Sequence, residues 1–141
     1  MMGTTGALVQ FQPSNLVTVG TISGAAVLDG LKVADFGNYV LEYVKDKPGL
    51  HLLLNFEYIT YMSSAGLTEL LRINEALRAS SGSIRLCNLS CDIRKLFKIT
   101  NLDQIFAIHE DENVESAVQR YERSLSVAAD EDAWASQDTG A

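Results

Sequence analysis

The sequence predicts an α/β domain, a mostly parallel sheet with an N-terminal hairpin strand and about four helices. Three observations carry that prediction. Short segments rich in β-branched residues alternate with segments whose apolar residues recur at three- and four-residue spacing. Residues 50–54 are apolar almost throughout, which suits a central strand covered on both faces. Only the first two strand segments are joined by a link too short to hold a helix.

The elements follow in order. Residues 7–11 read as a first strand stopped by Pro13, and residues 16–22, rich in valine, threonine and isoleucine, as its hairpin partner. Asp29 has the chemistry of a helix N-cap. After it, Val33, Phe36, Gly37, Val40, Leu41 and Val44 share one helical face, and Pro48-Gly49 ends the helix. The central strand at 50–54 precedes a turn, Tyr61-Met62-Ser63-Ser64-Ala65-Gly66-Leu67, and a second helix marked by Leu67, Leu70, Leu71 and Leu77. A breaker cluster at 80–83 leads into a strand at 84–87. Ile93, Leu96 and Phe97 mark a short third helix, residues 105–108 a strand near the sheet edge, and Val114, Ala117, Val118 and Tyr121 a last helix. The order is β-β-α-β-α-β-α-β-α. The domain is expected over residues 1–123, with 124–141 as an acidic, mobile tail.

Composition excludes several classes of function. The net charge is −7, whereas a nucleic-acid binder needs a basic surface. Asp130, Glu131, Asp132 and Asp138 supply four of those charges beyond the last base, Arg123, leaving 14 acids against 11 bases elsewhere. No segment reaches the roughly 18 apolar residues of a membrane span, and no signal peptide is evident, so the cytoplasm is the expected compartment. Cys87 and Cys91 are spaced C-x3-C without two further ligands nearby, so reduced thiols are expected and no metal site. His51 and His109 stand alone, and His51 reads as a partly buried, hydrogen-bonded strand residue. There is no phosphate loop and no G-x-S-x-G elbow. No catalytic residue and no cofactor is expected.

The serine turn remains. Its simplest reading is capping, with the Ser63 or Ser64 oxygen accepting an N–H from the first helical turn. The same place also suits modification. A helix start presents free N–H groups and partial positive charge, so a phosphoryl group there is tolerated and adds about −1.5 to −2 charges. Gly66 costs the first turn about 1 kcal/mol against alanine, which points to something approaching the backbone closely.

The run Leu52-Leu53-Leu54-Asn55-Phe56-Glu57-Tyr58-Ile59-Thr60-Tyr61-Met62-Ser63-Ser64-Ala65-Gly66-Leu67 resembles the STAS domain of bacterial anti-sigma factor antagonists. So do Gly82-Ser83-Ile84-Arg85-Leu86-Cys87-Asn88-Leu89-Ser90 and Lys95-Leu96-Phe97-Lys98-Ile99-Thr100-Asn101-Leu102-Asp103-Gln104-Ile105-Phe106, in the same order as in that family. The resemblance implies a single STAS-like domain with Ser64 as phosphoacceptor. It implies partner switching: the unphosphorylated protein binds an anti-sigma factor of the serine-kinase type, is released on phosphorylation, and is reset by a PP2C-type phosphatase. The binding face is expected to include Asp29, Ser63, Gly66 and Leu67 beside Ser64. Three departures stand out. Ser63 occupies the place of a frequent aspartate, the family's G-x-L-D is stretched to Gly24-Ala25-Ala26-Val27-Leu28-Asp29, and the acidic tail has no counterpart in the minimal domain. A non-switching STAS scaffold or subunit of a signalling or lipid-transport complex is the alternative reading.

Overall fold

β1 (Val9–Pro13) and β2 (Thr18–Ile22) form the antiparallel hairpin, whose turn is closed by the Ser14 N–H donating to the Val17 carbonyl at 2.8 Å. Pro13 is accommodated because β1 lies at a sheet edge. The structure is a computed structural model that describes residues 8–23, 26–110 and 113–139; beyond Val127 the last helix is described by its backbone alone. The chain continues through β3 (Val27–Leu28), α1 (Gly30–Val44), β4 (His51–Asn55), β5 (Tyr61–Met62) and α2 (Ser64–Ala79). Then come β6 (Ser83–Cys87), α3 (Cys91–Ile99), a 3-10 turn (Leu102–Gln104), β7 (Ala107–His109) and α4 (Val114–Thr139).

The main sheet has the order β1-β2-β4-β6-β7, and every pair after the hairpin is parallel. β4 is central, as its unbroken apolar run requires, and β7 is an edge strand. Alternate strand residues sort the interior into two layers. Leu52, Leu54, Ile84 and Leu86 join the apolar stripes of α1 (Val33, Phe36, Val40) and α2 (Leu67, Leu70, Ile73, Leu77). Leu53, Cys87, Val17 and Val19 face the other way and are covered by Ala117 and Tyr121 of α4.

Polar residues on the α4 face are paired. His51 Nδ1 lies 2.7 Å from Ser83 Oγ, which also meets the Tyr121 hydroxyl in a short hydrogen bond. The Arg85 guanidinium sits 4.6 Å above the Tyr121 ring centre and donates to Ser124 Oγ at 2.8 Å and His109 Nε2 at 3.4 Å. His51 is therefore the hydrogen-bonded strand residue its lone position suggested, and burial lowers its pKa below the usual 6.5.

Two expectations are corrected. The last strand does not occupy residues 105–108. The amides of Ile105 and Phe106 both donate to the Leu102 carbonyl, which holds these residues in a turn. Phe106 is apolar because it packs edge-on against Phe97 of α3, ring centres 5.9 Å apart, and the strand starts only at Ala107. Second, β3 and β5 form a separate two-stranded parallel sheet, with Val27 opposite Tyr61 and Leu28 opposite Met62. Two residues are too few to carry a strand period. α4 continues through residues 124–139, the part read from composition as a tail. The Gly24-Ala25 part of the stretched loop lies outside the described residues. Among the described residues, no helix is long and apolar enough to cross a membrane.

Candidate functional site

The serine turn is held from three sides. At the end of β4, buried Asn55 accepts from the Glu57 N–H (3.1 Å) and from Asn88 Nδ2 (2.9 Å), which anchors the following loop to the end of β6. Asn88 takes the left-handed conformation, φ 59°, that lets its amide reach across. Further on, the Thr60 N–H donates to the Ala26 carbonyl at 2.8 Å, and the Ser63 N–H to the Leu28 carbonyl at 2.9 Å. From the third side, Ser90, the N-cap of α3, donates its hydroxyl to the Thr60 carbonyl while accepting from the Ile93 N–H.

Ser63 is the N-cap of α2 by position, with extended backbone (φ −75°, ψ 168°), and Ser64 is the first helical residue. The expected capping bond is absent. The Gly66 N–H donates to the Ser63 carbonyl at 2.9 Å, so the backbone takes the role read for the side chain. The Ser63 hydroxyl is shut off from solvent and has no hydrogen-bond partner among the described residues. Ser64 is exposed. No acidic residue lies in the first turn of α2.

The close approach inferred at Gly66 comes from within the protein. A Cβ built there would stand 2.2 Å from Met62 Cγ and 2.6 Å from Met62 Sδ. Gly66 thus lets the inward side chain of β5 lie flat against the first turn of α2. Leu67 is also buried, in the larger core cluster. Both residues turn inward and support the turn from beneath. Asp29 is exposed at the N-cap position of α1, without a side-chain capping bond, and Leu28 joins it to the serine turn.

The small sheet and the first turn of α1 carry exposed apolar residues that sequence periodicity passed over. Leu31 in the first turn of α1 is 84% exposed, and Tyr61 and Val27, paired on the outer face of the small sheet, are 52% and 36% exposed. Their signal in the sequence was an apolar residue off the buried stripe. A separate open cleft of 440 Å³ lies at the carboxyl ends of the strands, lined by Glu57, Asn88, Arg94, His109 and Glu110, with Arg94 and Glu110 ion-paired at 3.1 Å. Ser64 does not line it. No group of three or more His, Cys, Asp or Glu side chains among the described residues is arranged to hold a metal ion.

This frame of two strands followed by alternating helices and strands matches the STAS domain model over residues 10–117. The chain belongs to the STAS domain family. Among curated proteins it is similar to the "Putative anti-sigma factor antagonist BtrV" of Bordetella bronchiseptica, 33% identical over 63 residues, which is 45% of this chain. The chain spans about half, 54%, of that relative's length. Among solved structures, a STAS domain protein from Planctomyces limnophilus superposes with a TM-score of 0.70 at 16% identity, covering 79% of this chain and 95% of that one. The Bacillus cell fate determinant SpoIIAA, in its phosphorylated form, superposes with a TM-score of 0.62 at 23% identity, covering 80% of this chain and 98% of that one.

Proposed function

We propose that this STAS domain is an anti-sigma factor antagonist that works in the cytoplasm by partner switching, with Ser64 as the switch. The observation that carries the reading is an exposed serine at the first position of α2, the residue to which the family resemblance assigns the phosphoacceptor. The enclosed hydroxyl of Ser63 favours Ser64 as the modified residue of the pair. The unphosphorylated face offers Leu31, Tyr61 and Val27 as apolar contact surface, with Asp29 and Ser63 in the same rim and Gly66 and Leu67 beneath. Its partner is an anti-sigma factor of the serine-kinase type.

In the switching step the γ-phosphoryl group of ATP moves to Ser64 Oγ. The bond to the bridging oxygen breaks, ADP leaves, and the serine proton passes to a base of the kinase. The two added charges then stand beside an apolar contact surface, and desolvating them against a partner is costly. A PP2C-type phosphatase reverses the step by hydrolysis. The chain itself serves as binding module and phosphoryl acceptor, without catalysis of its own.

The test is incubation with the serine-kinase anti-sigma factor of the same genome and ATP, followed by peptide mass spectrometry and calorimetric binding. One phosphate at Ser64, none in Ser64→Ala, and loss of binding on phosphorylation are expected. Phosphate at another residue, or Ser64→Asp binding as tightly as the unmodified protein, sinks the reading. The second reading, a STAS scaffold or complex subunit that binds without modification, draws on Ser63 standing where the resemblance places a frequent aspartate. It predicts a stable complex that phosphorylation leaves intact.

A further inference from the structure

The Ser63 hydroxyl poses a problem that the switch reading leaves open. Buried hydroxyls in folded proteins nearly always find a partner, and an N-cap serine normally spends its oxygen on the first turn. Here the oxygen is enclosed and unpartnered among the described residues, while the Ser63 carbonyl serves Gly66 instead. Both backbone groups of Ser63 are engaged in the closed turn, its N–H with Leu28 and its carbonyl with Gly66, so the side-chain torsion can change without moving the main chain. No hydrogen bond within the described residues holds the hydroxyl in its inward position. A change to another staggered rotamer therefore breaks nothing polar.

We propose that Ser63 is a positioning residue for the phosphoryl group at Ser64. Its hydroxyl rotates outward and donates to a phosphate oxygen, completing an anion cradle with the free N–H groups that open α2. The inference rests on the reading of Ser64 as phosphoacceptor and deepens it. The phosphoryl group supplies the acceptors that the unmodified protein lacks at this place. The first turn of α2 carries no acid to compete for those donors or repel the new charge. Hydrogen bonds to the charged form favour it, so the cradle holds the phosphate as the dianion at neutral pH and maximises the charge change on the binding face.

The test uses the full chain with phosphoserine installed at position 64 during translation, so no kinase is needed. The second phosphate ionisation is followed by phosphorus NMR across pH. Ser63→Ala is expected to raise its midpoint by about half a unit, a roughly threefold gain in proton affinity, because a donor to the dianion is lost. Ser63→Asp raises it further, by placing a like charge beside the phosphate, and Ser63→Thr keeps the value seen with serine. An unchanged midpoint in Ser63→Ala overturns the proposal, as does a threonine variant that titrates like alanine. A purely structural role would lower the melting temperature of Ser63→Ala and leave the titration where it was, which also overturns it. If a kinase modifies some other residue, the reading of Ser64 fails, whereas the titration here reports on Ser63 regardless.

Discussion

Replacing Gly66 with alanine isolates what holds the serine turn in shape. The added methyl would lie 2.2 Å from Met62 Cγ and 2.6 Å from Met62 Sδ, inside the distance at which carbon atoms repel. Met62 is fully buried among packed neighbours, so its inner atoms have little room to withdraw. Overpacking of this kind costs about 1–3 kcal/mol. Alanine returns about 1 kcal/mol through its better helix propensity. The net loss is about 1 kcal/mol, which lowers the melting temperature by about 3 °C in a domain of this size. Equilibrium urea unfolding measures it, and a double-mutant cycle with Met62→Ala assigns it. With Met62 truncated, Gly66→Ala should turn stabilising, by up to about 1 kcal/mol, because only the propensity gain remains. If Gly66→Ala is equally harmful with and without the Met62 side chain, the packing argument is wrong and the glycine has some other purpose.

Other perturbations give equally definite outcomes. Tyr121→Phe leaves Ser83 bonded to His51 and should cost about 1 kcal/mol in urea unfolding; a loss several times larger would mean that the hydroxyl anchors α4 in a way its hydrogen bond to Ser83 does not explain. Asn55→Ala strips an acceptor from the Asn88 side chain and the Glu57 N–H, and about 2 kcal/mol of destabilisation is expected, with a negligible change counting against the role assigned to Asn55. His51 has its pKa lowered by burial, so below pH 6.5 the unfolded chain takes up a proton that the folded one resists. Its contribution to stability is therefore present above 6.5 and lost as pH falls towards the lower folded value; His51→Gln should flatten the melting temperature across that window, and an unaltered slope would refute it. Leu31→Asp, at a position 84% exposed, should leave stability within about 0.5 kcal/mol of the parent and weaken anti-sigma factor binding, and full binding would remove Leu31 from the proposed face.

The sequence was most legible where a pattern had room to repeat. The stripes of α1 and α2 and the apolar run of β4 each extend over several residues, and their positions in the fold follow from the period alone. Phe106 misled because burial against a helix looks the same in sequence as burial in a strand, and Ile105 misled because it is apolar yet exposed. β3 and β5 were hidden because each depends on a partner 34 residues away along the chain. At the serine turn, residue types indicated a helix start, which is present, and a side-chain cap, which is not, because the Ser63 carbonyl and the Gly66 N–H found each other first. Periodicity also singled out the residues that point inward, so it passed over exposed Leu31 in the first turn of α1 and gave no hint that Tyr61, named in the serine turn, faces outward.

The ladder between β3 and β5 is only two residue pairs long. A pair of strands that short has little stability of its own. The amides of Thr60 and Ser63, which donate to Ala26 and Leu28, should exchange with deuterium through local opening, while those of Leu52, Leu53 and Leu54 wait for global unfolding. The segment leading into Ser64 can therefore peel away as a short extended strand while the five-stranded sheet and its helices stay native. An enzyme that grips its substrate as an extended peptide would find that strand at the cost of a small fraction of the global unfolding free energy. How often the exposed serine is offered on an extended strand is then set by how often a two-rung ladder opens, a quantity that substitutions at Val27 or Thr60 can tune without touching the core.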